Sequence, residues 1–396
     1  MAEISSGDTR HTAAVVWWRD ERKRGLLAQI VVALAVVGGV YFLAHNMIEN
    51  QARLGVPLSL SFLGDPAGFQ LSFATISVTL ESPIWRILLI GALNTLVASV
   101  FAALIATALG VFVGIMRLSR NWLVARIAGA YVEAVRNVPL LLQLVFWYGG
   151  VLVALPKPKD SLSLWDVIFL NVKGLSTPRP IPEPGFWIVV ATLLVGIVGA
   201  IGVRRWAKRR QERTGQQFPV FWTGVGLVIA LPVLVSAILG HPVSWELPVQ
   251  GTFRFTGGLS FQPEVVALVL GLSVNAAAFI AEIVRGGIMA ISHGQTEAAY
   301  AVGLRPGITL RLVIIPQALR VIMPPMISQY LNVVKNSTLA GFIGYPDLFS
   351  VIGTSQNQSG RAVECVTILM LFYLTVSLLI SAVMNWYNKR VALVER

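Results

Sequence analysis

Long apolar runs separated by short polar connectors dominate the chain. Stretches free or nearly free of charge occupy Leu26 to His45, Ile87 to Met116, Asn137 to Pro156, Phe186 to Val203, Phe218 to His241, Val265 to Ala281, Val321 to Val334 and Cys365 to Asn388. Crossing a bilayer takes roughly 20 apolar residues in a helix, so the pattern predicts about eight membrane helices in an all-α polytopic fold. Two runs are extended by half-polar stretches, Trp122 to Arg136 and Arg311 to Arg320, and these regions carry Pro139, Pro316, Pro324 and Pro325. Proline removes a backbone donor and crowds the preceding turn, so both helices are expected to be bent or broken, with part of their length in protein or water.

Composition agrees with the hydropathy pattern. Of 396 residues, 55% are hydrophobic and 13% charged, against roughly 25% charged in an ordinary soluble domain. A net charge of +12 raises the question of nucleic-acid binding, and the placement of the cations answers it. Arg19, Arg22, Lys23 and Arg24 precede the first run; Arg117, Arg120 and Arg126 follow the second. Arg204, Arg205, Lys208, Arg209, Arg210 and Arg213 lie between the fourth and fifth, and Lys389, Arg390 and Arg396 follow the last. The intervening loops mix few charges of both signs. That is the positive-inside pattern, which puts both termini in the cytoplasm and reads the basic excess as topology, with no nucleic acid as partner.

The single Cys365 rules out an internal disulfide and Cys-rich metal motifs. His11, His45, His241 and His293 are scattered at loops or helix ends, with no spacing for a metal site or a catalytic pair. The chain has no Gly-Lys-Ser/Thr phosphate loop, so any ATP is bound by another polypeptide. The first helix follows basic residues, but its run is long and no clear small-x-small site follows it, which marks it as an uncleaved anchor.

In the outer loops, Pro156-Lys157-Pro158 and the proline-rich Pro178 to Pro184 bracket an amphipathic stretch around Trp165 to Leu170. An interfacial segment and an ordinary ordered loop are both compatible with it. The basic run Arg204 to Arg213 reads as a cytoplasmic connector of a helical hairpin; a topogenic signal explains it more simply than a phospholipid site. No inverted repeat is visible, which counts against a secondary transporter or channel without eliminating one.

One mild stretch lies between the sixth and seventh runs, Gly294 to Gly307, containing Gln295-Thr296-Glu297-Ala298-Ala299-Tyr300-Ala301-Val302-Gly303. It carries start and stop signals of its own. Glu297 suits a first turn, alanines fill the middle, Gly303 suits a left-handed C′ position and Pro306 forbids continuation. Thr309 is expected to cap the next helix, with Arg311 near the cytoplasmic surface. Small side chains permit close approach to another surface, and Glu297 offers one directional contact; a docking element and a solvated connector both fit.

Glu297-Ala298-Ala299, then Gly303, then Val313-Ile314-Ile315-Pro316 resembles the cytoplasmic "EAA" loop of bacterial ABC importer permeases, with valine and isoleucine where isoleucine and leucine are commoner. Pro316 to Arg320, Asn332 to Leu339, Tyr131 to Leu140 and Ala281 to Ile288 are similar to the polar amino acid subgroup of type-1 permeases, typified by histidine, arginine and glutamine permeases. The extra helices resemble those of the long permeases of general L-amino acid uptake systems. This likeness implies a five-helix core with an added N-terminal helix and an inserted helical hairpin. It divides the chain into a tail, first helix and outer loop over 1–86, a transmembrane domain over 87–388 with the insert at about 186–241, and a tail over 389–396.

The resemblance further implies that Glu297, Ala298, Ala299, Gly303, Arg305 and Pro316 couple the membrane helices to a cytoplasmic ABC ATPase dimer, which would hold ATP and Mg. A second homologous permease subunit, a periplasmic amino acid binding protein and membrane lipid are the remaining implied partners; this chain would hold no cofactor and be no enzyme. For the pathway, polar groups inside membrane runs are the candidates: Asn94, Gln143, Asn275, Glu282, Gln329, Asn332, Lys335 and Asn336, with Glu133, Arg136 and Arg285 beside them. Glu133 with Arg136, and Glu282 with Arg285, are spaced for mutual pairing, and Lys335 is able to snorkel. Asn275, Gln329 and Asn332 suit either the polar ends of an amino acid or hydrogen bonds between helices.

Overall fold

A computed structural model describes residues 21–53, 55, 58–74, 76–252 and 254–391. His11, Arg19 and Arg396 lie outside the described residues, as do the side chains of Lys389 and Arg390. Among the described residues, seven helices are long and apolar enough to cross a membrane, and one bent helix pair passes the same test when its two halves are taken together. The spans are α1 (Glu21–Arg53), α2 (Ile84–Arg117), the pair α3 (Trp122–Asn137) and α4 (Leu140–Leu152), α5 (Phe186–Thr214), α6 (Val220–Ile238), α7 (Pro263–Met289), α9 (Pro306–Ile343) and α11 (Ala362–Val391). Two shorter helices lie between them, α8 (His293–Ala301) and α10 (Leu348–Ser359).

The core is α2 against α7, and the reason is written along α2. Asn94, Ala98, Ala102, Ala106, Gly110 and Gly114 recur at every fourth position and are all buried. Lipid tails are as apolar as leucine, so helices in a bilayer gain most from close van der Waals approach, which small residues allow. A Cβ on Gly110 would lie 2.6 Å from Cβ of Ile280 and 2.9 Å from the carbonyl of Ala277; one on Gly114 would lie 2.9 Å from the carbonyl of Ala281. Ser273 Oγ donates across the same interface to the Ala102 carbonyl at 3.3 Å.

The pair α3 and α4 is bent by 105°, as the proline at its centre predicts. Asn121 caps α3 by accepting from the amides of Leu123 and Val124, and Pro139 forbids continuation. The carbonyls released at the break find a donor in Gln143, whose Nε2 reaches Val135 O at 2.9 Å and Val138 O at 2.8 Å. The α9 span, expected to be bent or broken, runs on without a break. A π-turn at Leu310–Ile314 runs directly into Pro316, and Pro324 and Pro325 lie inside a helix that continues through them. The wider turn leaves room for the proline ring where a tight one would clash, so the helix absorbs Pro316 without parting.

Outside the membrane helices the described residues form short strands. These are β1 (Leu162–Leu164), β2 (Ile168–Asn171), β3 (Gly174–Thr177), β4 (Arg179–Pro182), β5 (Val243–Glu246) and β6 (Leu259–Phe261). An antiparallel sheet runs β1-β2-β3-β6, and β4 pairs with β5. The stretch Trp165 to Leu170 is therefore the turn and second strand of a hairpin, where an interfacial segment or a loop was expected. Trp165 and Asp166 both take φ of 54°, the primed turn that matches strand twist, and Val167 N closes it on Leu164 O at 3.2 Å. The β4–β5 pair clamps the base of the hairpin α5–α6, which packs chiefly on itself: a Cβ on Gly196 would strike the Leu227 carbonyl.

Candidate functional site

Helix α8 begins four residues before Glu297. Ser292 caps it, accepting from Gly294 N at 3.3 Å, so Glu297 sits in the middle of the helix and not in its first turn. The stop signal acts as expected. Gly303 has φ of 81°, its amide donates to Tyr300 O at 2.9 Å, and Leu304 N donates to Ala299 O at 3.1 Å. This pair of bonds is the Schellman closure of a helix C-terminus. Ala299 is buried at 5% exposure, while Glu297 and Ala298 face outward. Arg305, itself exposed, opens α9 as its N-cap residue. Thr309 is no cap: it is buried within the first turns, and its hydroxyl donates back to Leu304 O at 3.5 Å.

The same two spans that hold α8 at either end enclose a cavity of about 290 Å³. On α7 its wall is Leu272, Asn275, Ala276 and Phe279; on α9 it is Gln329, Asn332, Val333 and Asn336. Each set has the spacing of one helix face. Arg136, Val138, Pro139 and Leu140, at the break between α3 and α4, close the third side. The guanidinium of Arg136 lies over the Phe279 ring, 5.2 Å from its centroid, and no acidic side chain lines the cavity. A space of this size holds several waters, which suits one small polar solute.

The remaining pathway candidates lie elsewhere. Asn94 is buried and donates to Phe73 O at 3.2 Å and Pro346 O at 2.9 Å. Gln143 serves the carbonyls of the helix break, as above. Glu282 receives Arg117 from α2 and Arg285 from its own helix, joining α2 to α7; its expected pairing with Arg285 is therefore present within a triad. Glu133 and Arg136 form no ion pair among the described residues, because Arg136 turns to Phe279. Lys335 is exposed and outside the cavity wall. Phe279 carries no polar signal, so sequence reasoning passed over it; only its place one turn beyond Asn275 hints at the shared face.

Helices long and apolar enough to cross a membrane, packed around a polar cavity with a short helix hung between two of them, are the architecture of a multi-pass membrane protein. The chain belongs to the family described as "Binding-protein-dependent transport system inner membrane component", whose model matches residues 193–393. It is 46% identical over 377 residues to the general L-amino acid transport system permease protein AapQ of Rhizobium johnstonii, covering 95% of this chain and 94% of that protein. The putative amino-acid ABC transporter permease protein YhdX of Escherichia coli is 44% identical, with 94% and 95% covered. The glutamate/glutamine/aspartate/asparagine transport system permease protein BztB of Rhodobacter capsulatus is 40% identical, with 95% and 96% covered. Among solved structures, an amino acid ABC transporter with histidines aligns at a TM-score of 0.46 and 20% identity, over 77% of this chain and 94% of that one.

Proposed function

We propose that this chain is the membrane subunit of an ATP-driven importer, passing L-amino acids from a periplasmic binding protein through the α7–α9 cavity into the cytoplasm. The observation that carries this reading is connectivity: α8 is covalently held between α7 and α9, and those helices supply two walls of the cavity. A displacement applied to α8 is thus delivered to both walls. A rigid lever is required for that, and the Schellman closure at Gly303 supplies the rigidity. Similarity to AapQ, YhdX and BztB supports amino acids as cargo.

In this reading α8 docks on a cytoplasmic ABC ATPase dimer through Glu297 and Ala298, with Gly303, Arg305 and Pro316 holding the joint and buried Ala299 seating it. A second permease subunit would complete the wall that this chain leaves open. Both termini face the cytoplasm, in keeping with the basic connectors. The transport domain runs over 87–388, with the insert at about 186–241.

The test replaces Gly303 by Val and, separately, Glu297 by Lys. A β-branched residue at positive φ costs about 1–3 kcal/mol, enough to unwind the end of α8, while the lysine reverses the docking charge. Both variants are expected to reach the membrane at normal levels with uptake reduced at least tenfold. Normal uptake in both would falsify the coupling role.

A further inference from the structure

We propose that Arg136 is the residue that receives the carboxylate of the transported solute, an assignment that rests on the α7–α9 cavity being the cargo's path. Intramembrane charge is costly and is ordinarily matched by a partner. Arg136 faces the cavity without one: no carboxylate lines that space, and Glu133, one turn back on α3, makes no ion pair with it among the described residues. Arg136 is exposed in the isolated chain and lines this cavity, so its charge is open to an anion that enters the space during the transport cycle.

The geometry suits a carboxylate. The Phe279 ring lies 5.2 Å beneath the guanidinium carbon, and an aromatic face under a guanidinium holds its plane while leaving the edge N–H groups for a planar, two-oxygen acceptor. Around it, Asn275, Gln329, Asn332 and Asn336 offer amide oxygens that accept from an ammonium group and amide nitrogens that donate. One cation with several amides complements a solute bearing one carboxylate and one ammonium. A sulfate, with higher charge and no donor, would leave the amide oxygens unused.

The experiment uses the assembled importer, with its ATPase and second permease subunit, in nanodiscs without the binding protein, so that the receptor's own selectivity is absent. Binding of labelled L-glutamine and L-glutamate is competed by each amino acid and by its α-amide, in which the carboxylate is neutral. The unaltered complex is expected to prefer the free acids by about ten- to a hundred-fold, the range for loss of a charge-assisted pair. Arg136→Gln should bring that ratio close to one. Asn332→Leu should weaken acid and amide together and keep the ratio.

An unchanged ratio in Arg136→Gln overturns the proposal; if Asn332→Leu still weakens binding, the cavity survives as the path. If neither variant alters binding, or if the unaltered complex binds no amino acid, the assignment of Arg136 and the cavity fall together. Should Arg136→Gln not assemble, Phe279→Leu removes the stacking face and keeps the charge, and is expected to lower the ratio severalfold; no change there also overturns the assignment.

Discussion

The side-chain amide of Asn94 donates to the backbone carbonyl of Pro346 at 2.9 Å, joining α2 to the turn that enters α10. The bond lies in the protein interior, where Tyr345 returns the favour by donating from its hydroxyl to Asn94 O at 3.0 Å and Thr95 Oγ1 accepts from Leu348 N at 3.0 Å. Replacing Asn94 by Leu leaves the part-buried carbonyl of Phe73 and the buried carbonyl of Pro346 without this donor, a loss of about 1–3 kcal/mol. The expected result is a lower unfolding temperature and less protein in the membrane, with the KM for uptake by surviving molecules unchanged. A raised KM at normal stability would return Asn94 to the pathway.

Asp347, in the connector between α9 and α10 and outside the membrane-spanning segments, gives a pH dependence with a definite sign. Burial pushes its carboxyl up to about 7 from an ordinary 3.8, although the amide of Ser350, donating to Oδ1 at 2.9 Å, favours the charged form. A carboxyl with a folded-state pKa above its unfolded one binds its proton more tightly when folded. Its contribution to stability is fully present below the unfolded pKa and fades as pH rises through about 7. Thermal unfolding of the purified complex should therefore show a lower midpoint at pH 8 than at pH 5.5, and Asp347→Asn, which keeps an acceptor for Ser350, should flatten that difference. An identical pH profile in the variant would refute the assignment.

The α2–α7 seam predicts a contrast between two glycines. Gly110→Val must push against Ile280 and the Ala277 carbonyl, whereas a Cβ on Gly286 meets nothing within 4 Å. Overpacking a close helix contact costs about 1–3 kcal/mol, and an alanine in an open helical position is neutral or gains up to about 1 kcal/mol over glycine. Detergent unfolding curves are expected to shift down for Gly110→Val and to hold or rise for Gly286→Ala. Equal behaviour of the two would show that the seam is looser than these distances say.

What could be read from the sequence followed from demands that act locally. The bilayer requires long apolar helices, so the spans are evident from hydropathy, and Pro139 marks a true break because no backbone donor replaces its missing N–H and the Gln143 side chain serves the freed carbonyls instead. The same reasoning fails at Pro316, where the π-turn before it makes room, a backbone adjustment with no compositional trace. Strands β1 and β2 are too short for alternation to register, and their turn is built on Trp165-Asp166 in place of the usual Asn-Gly. Ser292 hides as a cap because Glu297 offers a plausible start nearby. In the site, Gln329, Asn332 and Asn336 already share a helix face in the sequence. The stacking of Arg136 on Phe279 joins residues far apart in the chain, and only the folded α3–α7 contact reveals it.

The pairing of β4 with β5 places the chain's departure into α5 and its return from α6 one strand spacing apart, about 4.8 Å. A tight turn spans that gap as readily as two membrane crossings do. The segment from Phe186 to Ile238 is, in consequence, a graft sewn on at a single ribbon: excision at the ribbon should leave the α2–α7 seam and the amide-lined chamber as they are, and lineages are at liberty to lengthen, shorten or discard it without rebuilding the machine beneath.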